Sequence, residues 1–252
     1  MAEMGGERVP RFFVSQTDIS DGKIIISGQD ARHIARSLRM AVGDAVDVAD
    51  GEGGEYSCRL VKIRDEECIA EILERCTSVC ESPVRTTLFM AMPKGDKLEW
   101  VVQKAVELGA SEIIPFESER CIKRPDKDKA EKIRERMSRI ALEAAKQCGR
   151  AVIPRVSGIM KLDEVLGMIG GFDLSLFCYE GEGGTSVKDV LEAAEGVRTV
   201  AAIVGSEGGF SAGEAEKIVA AGARSVGLGP RILRCETAPE YVLTAISYRF
   251  EL

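Results

Sequence analysis

The stretch Thr199-Val-Ala-Ala-Ile-Val204-Gly205-Ser206-Glu207-Gly208-Gly209-Phe210-Ser211-Ala-Gly-Glu214, with its continuation to Gly222, decides how the rest of the chain is read. Its opening run is apolar and β-branched without a polar alternation, as in a strand of a parallel sheet covered on both faces. Ser211 and Glu214 have the spacing of a capping box, so a helix starts there, and Gly222 is placed to end it. Strand, glycine-rich turn and helix N-terminus in succession form a corner where backbone N–H and C=O groups can approach a ligand closely. Glu-Gly-Gly alone says little, since it recurs at Glu52 and Glu182. A tight turn that merely needs glycine is the plain alternative.

Just downstream, Gly227-Leu228-Gly229-Pro230-Arg231-Ile232-Leu233-Arg234-Cys235-Glu236-Thr237-Ala238 sets glycines, arginines and a glutamate around an Ile-Leu pair. That is too polar for a core and too apolar for a free loop; it reads as pocket lining, or else as a surface connection with incidental charges. Nucleotide fingerprints are missing. The 205–209 loop is not G-x-G-x-x-G, no G-x-x-x-x-G-K-[ST] occurs, and the run at 87–92 leads into Pro93-Lys94-Gly95-Asp96 with one glycine.

Upstream, candidate strands at 87–92, 112–117, 152–156 and 174–179, and another at 225–228, alternate with helical patterns. Leu98, Val101, Val102, Ala105 and Val106 form one apolar stripe, and Ile133, Met137, Ile140, Ala141 and Ala144 another. The end, 237–252, is helical by composition, with Pro239 tolerable in the first turn. The alternation implies an α/β domain with a mostly parallel sheet covered on both faces. Before it, short runs at 12–14, 23–27, 44–49, 56–63 and 68–73 suggest a small β-barrel, with Asp50-Gly51-Glu52-Gly53-Gly54 as a hairpin turn and one helical interruption at 30–40. Residues 76–83 read as a linker, giving domains at 1–78 and 84–252.

The 252 residues are 45% hydrophobic and 30% charged, an ordinary globular balance with enough chain to bury a core without metals or disulfides. Lysines and arginines number 34 against 41 acids, a net −7 that argues against coating nucleic acid through a uniformly positive surface. Locally the balance reverses: residues 120–139 hold nine basic residues against four acids. This is a phosphate-contacting face or a solvated helix laced with ion pairs. No apolar run reaches the ~18–20 residues needed to span a bilayer, and Met-Ala-Glu-Met-Gly-Gly-Glu leads into no apolar segment, so a cytosolic location without membrane attachment is expected. The eight cysteines form no C-x-x-C and His33 is the single histidine; reduced, mostly buried thiols and no metal site are expected.

The two motifs around Gly205 and Leu228 resemble those of the 16S rRNA (uracil-N3)-methyltransferase family of the SPOUT, or α/β-knot, superfamily. The resemblance extends over nearly the whole chain: Arg8-x-Pro10-Arg11-Phe12-Phe13, His33-x-x-x-Ser37-Leu38-Arg39, Lys94-Gly95-Asp96-Lys97, Lys104-Ala-Val-Glu107-Leu108-Gly109 and Glu143-Ala-Ala-Lys-Gln147-Cys-Gly149-Arg150 are all similar to its motifs. Ser206 stands where the family commonly has proline, and Cys235 where threonine is common.

The resemblance implies a PUA-like β-barrel that helps hold RNA, a C-terminal trefoil-knot domain that binds S-adenosylmethionine, a homodimer, and methylation of N3 of one uridine in small-subunit (16S) ribosomal RNA, free or in the small ribosomal subunit. The cofactor residues it implies are Phe177, Cys178, Tyr179, Glu180, Val204, Gly205, Glu207, Gly208, Gly209, Leu228, Gly229, Ile232, Leu233, Arg234, Thr237 and Ala238. S-adenosylmethionine carries no phosphate, which suits an apolar slot with backbone donors better than a nucleotide loop. N3 of uridine bears a weakly acidic proton on the Watson–Crick edge, so its base must be unpaired and its anion stabilised. Arg234 and Arg11 are expected to do this, with Glu207 the weakest candidate for a base. Arg8, Arg11, Arg32, Arg36, Arg39, Lys94, Arg120, Lys123 and Arg124 are the expected RNA contacts. Two rivals remain: a dinucleotide-dependent enzyme on a doubly wound sheet, and a non-catalytic RNA-binding module.

Overall fold

The computed structural model describes residues 9–122, 124–179 and 185–252. The chain divides into two compact units, one made of the residues up to Glu81 together with Ala145–Ile153, the other of Ser82–Ala144 and Pro154–Leu252.

In the first unit, β1 (Arg11–Phe13), β2 (Ile19–Ser20), β3 (Lys23–Ser27), β4 (Ala45–Ala49), β5 (Gly54–Ile63) and β6 (Glu67–Thr77) form one sheet in the order β1-β4-β5-β6-β3-β2. β1 runs parallel to β4 and the other pairs are antiparallel. The period-2 pattern of β3 is visible in its burial, with Ile24 and Ile26 inside and Lys23, Ile25 and Ser27 outside. Ile24, Ile26, Val46, Val48, Leu60 and Ala70 fill the core with Phe12 and Ile34. Gly51 and Gly53 adopt φ of 78° and 109° in the β4–β5 turn, as the glycine-rich hairpin requires. The helical interruption is α1 (Gly28–Arg32), which continues as one π-turn through His33–Ser37.

The second unit contains β7 (Arg85–Ala91), α2 (Lys97–Glu107), β8 (Ala110–Glu117), most of α3 (Lys127–Cys148), β9 (Arg155–Val156), β10 (Met160–Lys161), α4 (Leu162–Ile169), β11 (Leu174–Cys178), β12 (Thr185–Ser186), α5 (Val187–Glu192), β13 (Thr199–Val204), α6 (Ala212–Ala220), β14 (Arg224–Gly227) and α7 (Thr237–Phe250). Its strands run β10-β8-β7-β13-β11-β14-β12, with β9 also on β8, and every pairing is parallel. Pro115 is tolerated inside β8 because β9 pairs at Glu112 and Ile113 and β10 at Phe116 and Glu117, which leaves Pro115 between the two. β13 inserts between β7 and β11, so the chain leaves β7 towards one edge and β13 towards the other. Their carboxyl ends therefore flank a switch point of the kind that opens a crevice in α/β sheets.

Two local expectations change. β6 runs on to Thr77, pairing with Gly54, so the linker is shorter than 76–83. The strand expected at 152–156 is reduced to Arg155–Val156, because Val152 instead bridges Gly51 and Glu52 in the first unit. No helix among the described residues is long and apolar enough to cross a membrane.

Candidate functional site

At the carboxyl ends of β11, β13 and β14 lies a cavity of about 500 Å³, lined by Cys178 and Tyr179, by Val204, Gly205, Ser206, Glu207, Gly209 and Phe210, and by Val226, Leu228, Ile232, Leu233, Arg234, Cys235 and Ala238, with Lys97 and Arg120. The loop after β13 owes its form to packing. Phe210 stacks against Phe116, centroids 6.2 Å apart, and meets Phe177 edge-on at 5.0 Å, while Phe177 stacks on Tyr179 at 5.1 Å. A Cβ at Gly205 would stand 2.9 Å from the Phe210 ring, so glycine lets the loop fold over this column. The capping box is present: Ser211 Oγ accepts from the Glu214 amide at 3.3 Å, and the Glu214 carboxylate accepts from the amides of Ser211 at 3.0 Å and Glu119 at 2.6 Å. The helix start is thereby tied to the end of β8.

One cation organises the mouth. Lys97 Nζ lies 3.0 Å from both Glu207 Oε1 and Glu236 Oε2, and 3.6 Å from Cys235 Sγ. The Lys94 amide also donates to both Glu207 oxygens, at 3.2 and 3.3 Å. Burial pushes the Glu207 carboxyl up, but its own amide, the Lys97 ammonium, the Lys94 amide and Cys235 prevail and hold it below the ordinary carboxylate value. Glu236 is held low against the same opposition by its own amide, Lys97 and Cys235. Bonds to Glu236 and Glu207 in turn raise the Lys97 ammonium above its usual value. Both cavity thiols, Cys178 and Cys235, are pushed up to about 12 by burial, Cys235 further by its bond to Glu236. Both thiols are therefore held in the protonated form at neutral pH.

Among the residues expected at a cofactor site, Cys178, Tyr179, Val204, Gly205, Glu207, Gly209, Leu228, Ile232, Leu233, Arg234 and Ala238 come together here. Phe177 lies behind Tyr179, fully buried. Gly208 lies against Arg120, Gly229 turns the chain at φ 106°, and Thr237 opens α7 with its amide bonded to Arg234 O. Glu180, like Arg8 and Lys123, lies outside the described residues.

Within the first unit, the Arg11 guanidinium pairs with Glu55 and donates to Arg150 O at 3.2 Å. Arg32, Arg36 and Arg39 are exposed on that unit, Arg36 paired with Asp65. Arg120 stands on the cavity wall, donating to Gly208 O at 3.1 Å, and Arg124 donates to Glu119 O at 2.8 Å. The basic stretch is partly laced as its interleaved acids suggest, Lys129 pairing with Asp126 and Arg134 with Glu131, while Arg136 reaches Glu99 of α2. Lys97, Ser206, Phe210, Val226 and Cys235 line the cavity in addition to the expected residues; Lys97 stands in the Lys94-Gly95-Asp96-Lys97 motif, Ser206, Phe210 and Val226 adjoin the glycines of the two loops, and Cys235 follows Arg234. Among the described residues no cluster of groups suits a metal ion.

These residues suit an organic ligand with apolar parts: the walls offer Tyr179, Leu228, Ile232 and Leu233, the Lys97 ammonium is engaged by two carboxylates, and among the described residues Ser206 Oγ is buried without a hydrogen-bond partner.

Comparison with known proteins is consistent along the chain. Residues 80–247 match the family described as RNA methyltransferase domain, and residues 26–73 that described as RNA methyltransferase PUA domain. The chain is 37% identical over 232 residues to ribosomal RNA small subunit methyltransferase E of Bacillus subtilis, covering 90% of each. Among solved structures it is similar to the Neisseria gonorrhoeae protein of that name bound to S-adenosyl methionine (31% identity, TM-score 0.84, 95% of this chain and 97% of that one). A methyltransferase of Legionella pneumophila in complex with the same cofactor is similar too (28%, TM-score 0.85, 96% and 98%). This chain therefore belongs to the RNA methyltransferase family that includes ribosomal RNA small subunit methyltransferase E.

Proposed function

We propose that this chain methylates N3 of a uridine in small-subunit ribosomal RNA, using S-adenosylmethionine held in the cavity at the carboxyl ends of β11, β13 and β14. The observation that carries the reading is that cavity: a glycine loop and an Ile-Leu-bearing segment enclose about 500 Å³ with no phosphate cradle, in a chain similar to relatives solved with this cofactor. The bound cofactor supplies a methyl group activated by its sulfonium. Tyr179, Leu228, Ile232 and Leu233 provide apolar walls, the 205–209 loop provides backbone donors and acceptors, and the unpaired Ser206 hydroxyl is available to a polar ligand group.

Arg234, a cation on the cavity wall with no side-chain partner among the described residues, stabilises the anion left when N3 loses its proton. Glu207 is a poor base, because its partners hold it low; its work is to tie its loop to Lys94 and Lys97. Arg11 supports its own unit. The exposed Arg32, Arg36 and Arg39 and Lys94 are the RNA contacts in this reading, the protein acts as a homodimer, and its place is the cytosol.

Titration with S-adenosylmethionine and with NAD tests the cofactor, the former alone being expected to saturate. In methyl-transfer assays on 16S RNA and small subunits, Arg234→Ala should lower turnover by roughly 10²-fold while cofactor affinity stays near wild type. Full turnover by Arg234→Ala would take Arg234 out of the chemistry, and NAD binding would overturn the cofactor.

A further inference from the structure

The two loops that wall the cavity each hold themselves by backbone bonds of their own: Gly209 N to Ser206 O in one, Thr237 N and Ala238 N to Arg234 O in the other. The Cys235 thiol of the second loop reaches Glu207 of the first, and the charged link between them is a side chain from a third element. Lys97, the first residue of α2, places one ammonium 3.0 Å from Glu207 on the loop after β13 and 3.0 Å from Glu236 before α7. Glu207 is tied in addition to the Lys94 amide, on the segment leading from β7 into α2. The three groups are each about a quarter to a third exposed, so water screens them only partly. Without the cation, the two carboxylates would face one another at short range, and like charges so placed repel.

We infer that Lys97 is a positioning residue that sets the spacing of the two loops and so the width of the slot between them. Its motif, Lys94-Gly95-Asp96-Lys97, then has a physical reason: Lys94 presents its amide and Lys97 its ammonium to the same carboxylate. Lys97 does no chemistry, because an ammonium shared by two carboxylates stays protonated. A neutral side chain of similar length, such as methionine, keeps the packing of the α2 start and removes only the link.

The test begins on the ligand-free protein, so that it stands apart from the cofactor assignment. By hydrogen exchange, Lys97→Met should speed the amides of residues 205–210 and 228–238 by roughly tenfold relative to the rest of the sheet, while Lys97→Arg, which can also bridge two carboxylates, stays near wild type. Adding Glu236→Gln to Lys97→Met should recover part of the loss, because it removes the repulsion; a purely structural loss would deepen. The second arm rests on the methyltransferase reading: S-adenosylmethionine should bind Lys97→Met about tenfold more weakly than wild type, with Lys97→Arg restoring most of the affinity. Wild-type exchange rates in Lys97→Met, acceleration spread evenly over the unit, or no recovery in the double variant would each overturn the inference. Equal cofactor affinity in Lys97→Met would overturn the link to slot width. A wild-type protein that fails to bind the cofactor would overturn the functional reading, and the exchange data would still decide the role of Lys97.

Discussion

Gly208 shows how tightly the loop after β13 is made. Its backbone is not in the left-handed region, so conformation does not require glycine there; space does. A Cβ would stand 2.9 Å from Arg120 Cβ and 3.1 Å from Arg120 O, and backbone cannot swing aside as a side-chain tip can. The same approach lets Arg120 Nη1 donate to Gly208 O. Gly208→Ala should therefore destabilise the protein by about 1–3 kcal/mol, the range for overpacking, and weaken cofactor binding more than that loss explains. Thermal melting and cofactor titration check both parts, and an alanine variant with unchanged values would mean the loop has slack to yield.

At the scale of elements, α3 ends where a carboxylate takes over. Gly149, at φ 86°, closes the helix, with the amides of Gly149 and Arg150 bonded to Ala145 O. The next residues are gathered by Glu81, which accepts from the amides of Ala151 and Val152 at 3.0 and 3.1 Å and from Arg150 Nη2 at 2.7 Å. Arg150 is 4% exposed, and Lys146 pairs with Asp30 at 2.9 Å, so Ala145–Ile153 is held in the first unit by charge as well as packing. Removing one partner of a buried pair strands the other. Because Glu81 is partly open to water, Glu81→Ala should cost about 2–3 kcal/mol, below the range for a fully buried pair. Urea unfolding measures it, and a loss under about 0.5 kcal/mol would assign the anchoring to packing alone.

For the whole molecule, α7 carries an apolar stripe that folding of the chain leaves open. Tyr241 and Tyr248 are seven residues apart, which returns them to one face, and they remain 42% and 74% exposed. Trp100 of α2, 51% exposed, reaches α7 by donating to Glu240. An aromatic group of this kind is enriched at interfaces between subunits, which fits the proposed homodimer. Sedimentation of the wild type at micromolar concentration should give twice the chain mass, and Tyr248→Asp should shift it towards the monomer. A wild-type monomer would leave the stripe without this role.

The amino-acid order alone determined whatever depends on neighbours in sequence. β13 with its loop and the Ser211–Glu214 cap, the strands 23–27 and 45–49, and the stripes of α2 and α3 follow from side-chain periodicity and capping within a few residues. Nine of the residues that line the cavity were legible too, because they sit in two short motifs, and the family resemblance added Cys178 and Tyr179. Only the tertiary structure decided what the parallel strand order brings together. With β13 set between β7 and β11, Lys97 reaches Cys235, 138 positions away, and Arg120 lies on Gly208. The two-residue strands β10 and β12 are too short to leave a periodic signal, and the pairing of β1 with β4 and of β4 with β5 is what sets Arg11 beside Glu55. Local chemistry names which groups can act; sheet topology chooses which of them meet.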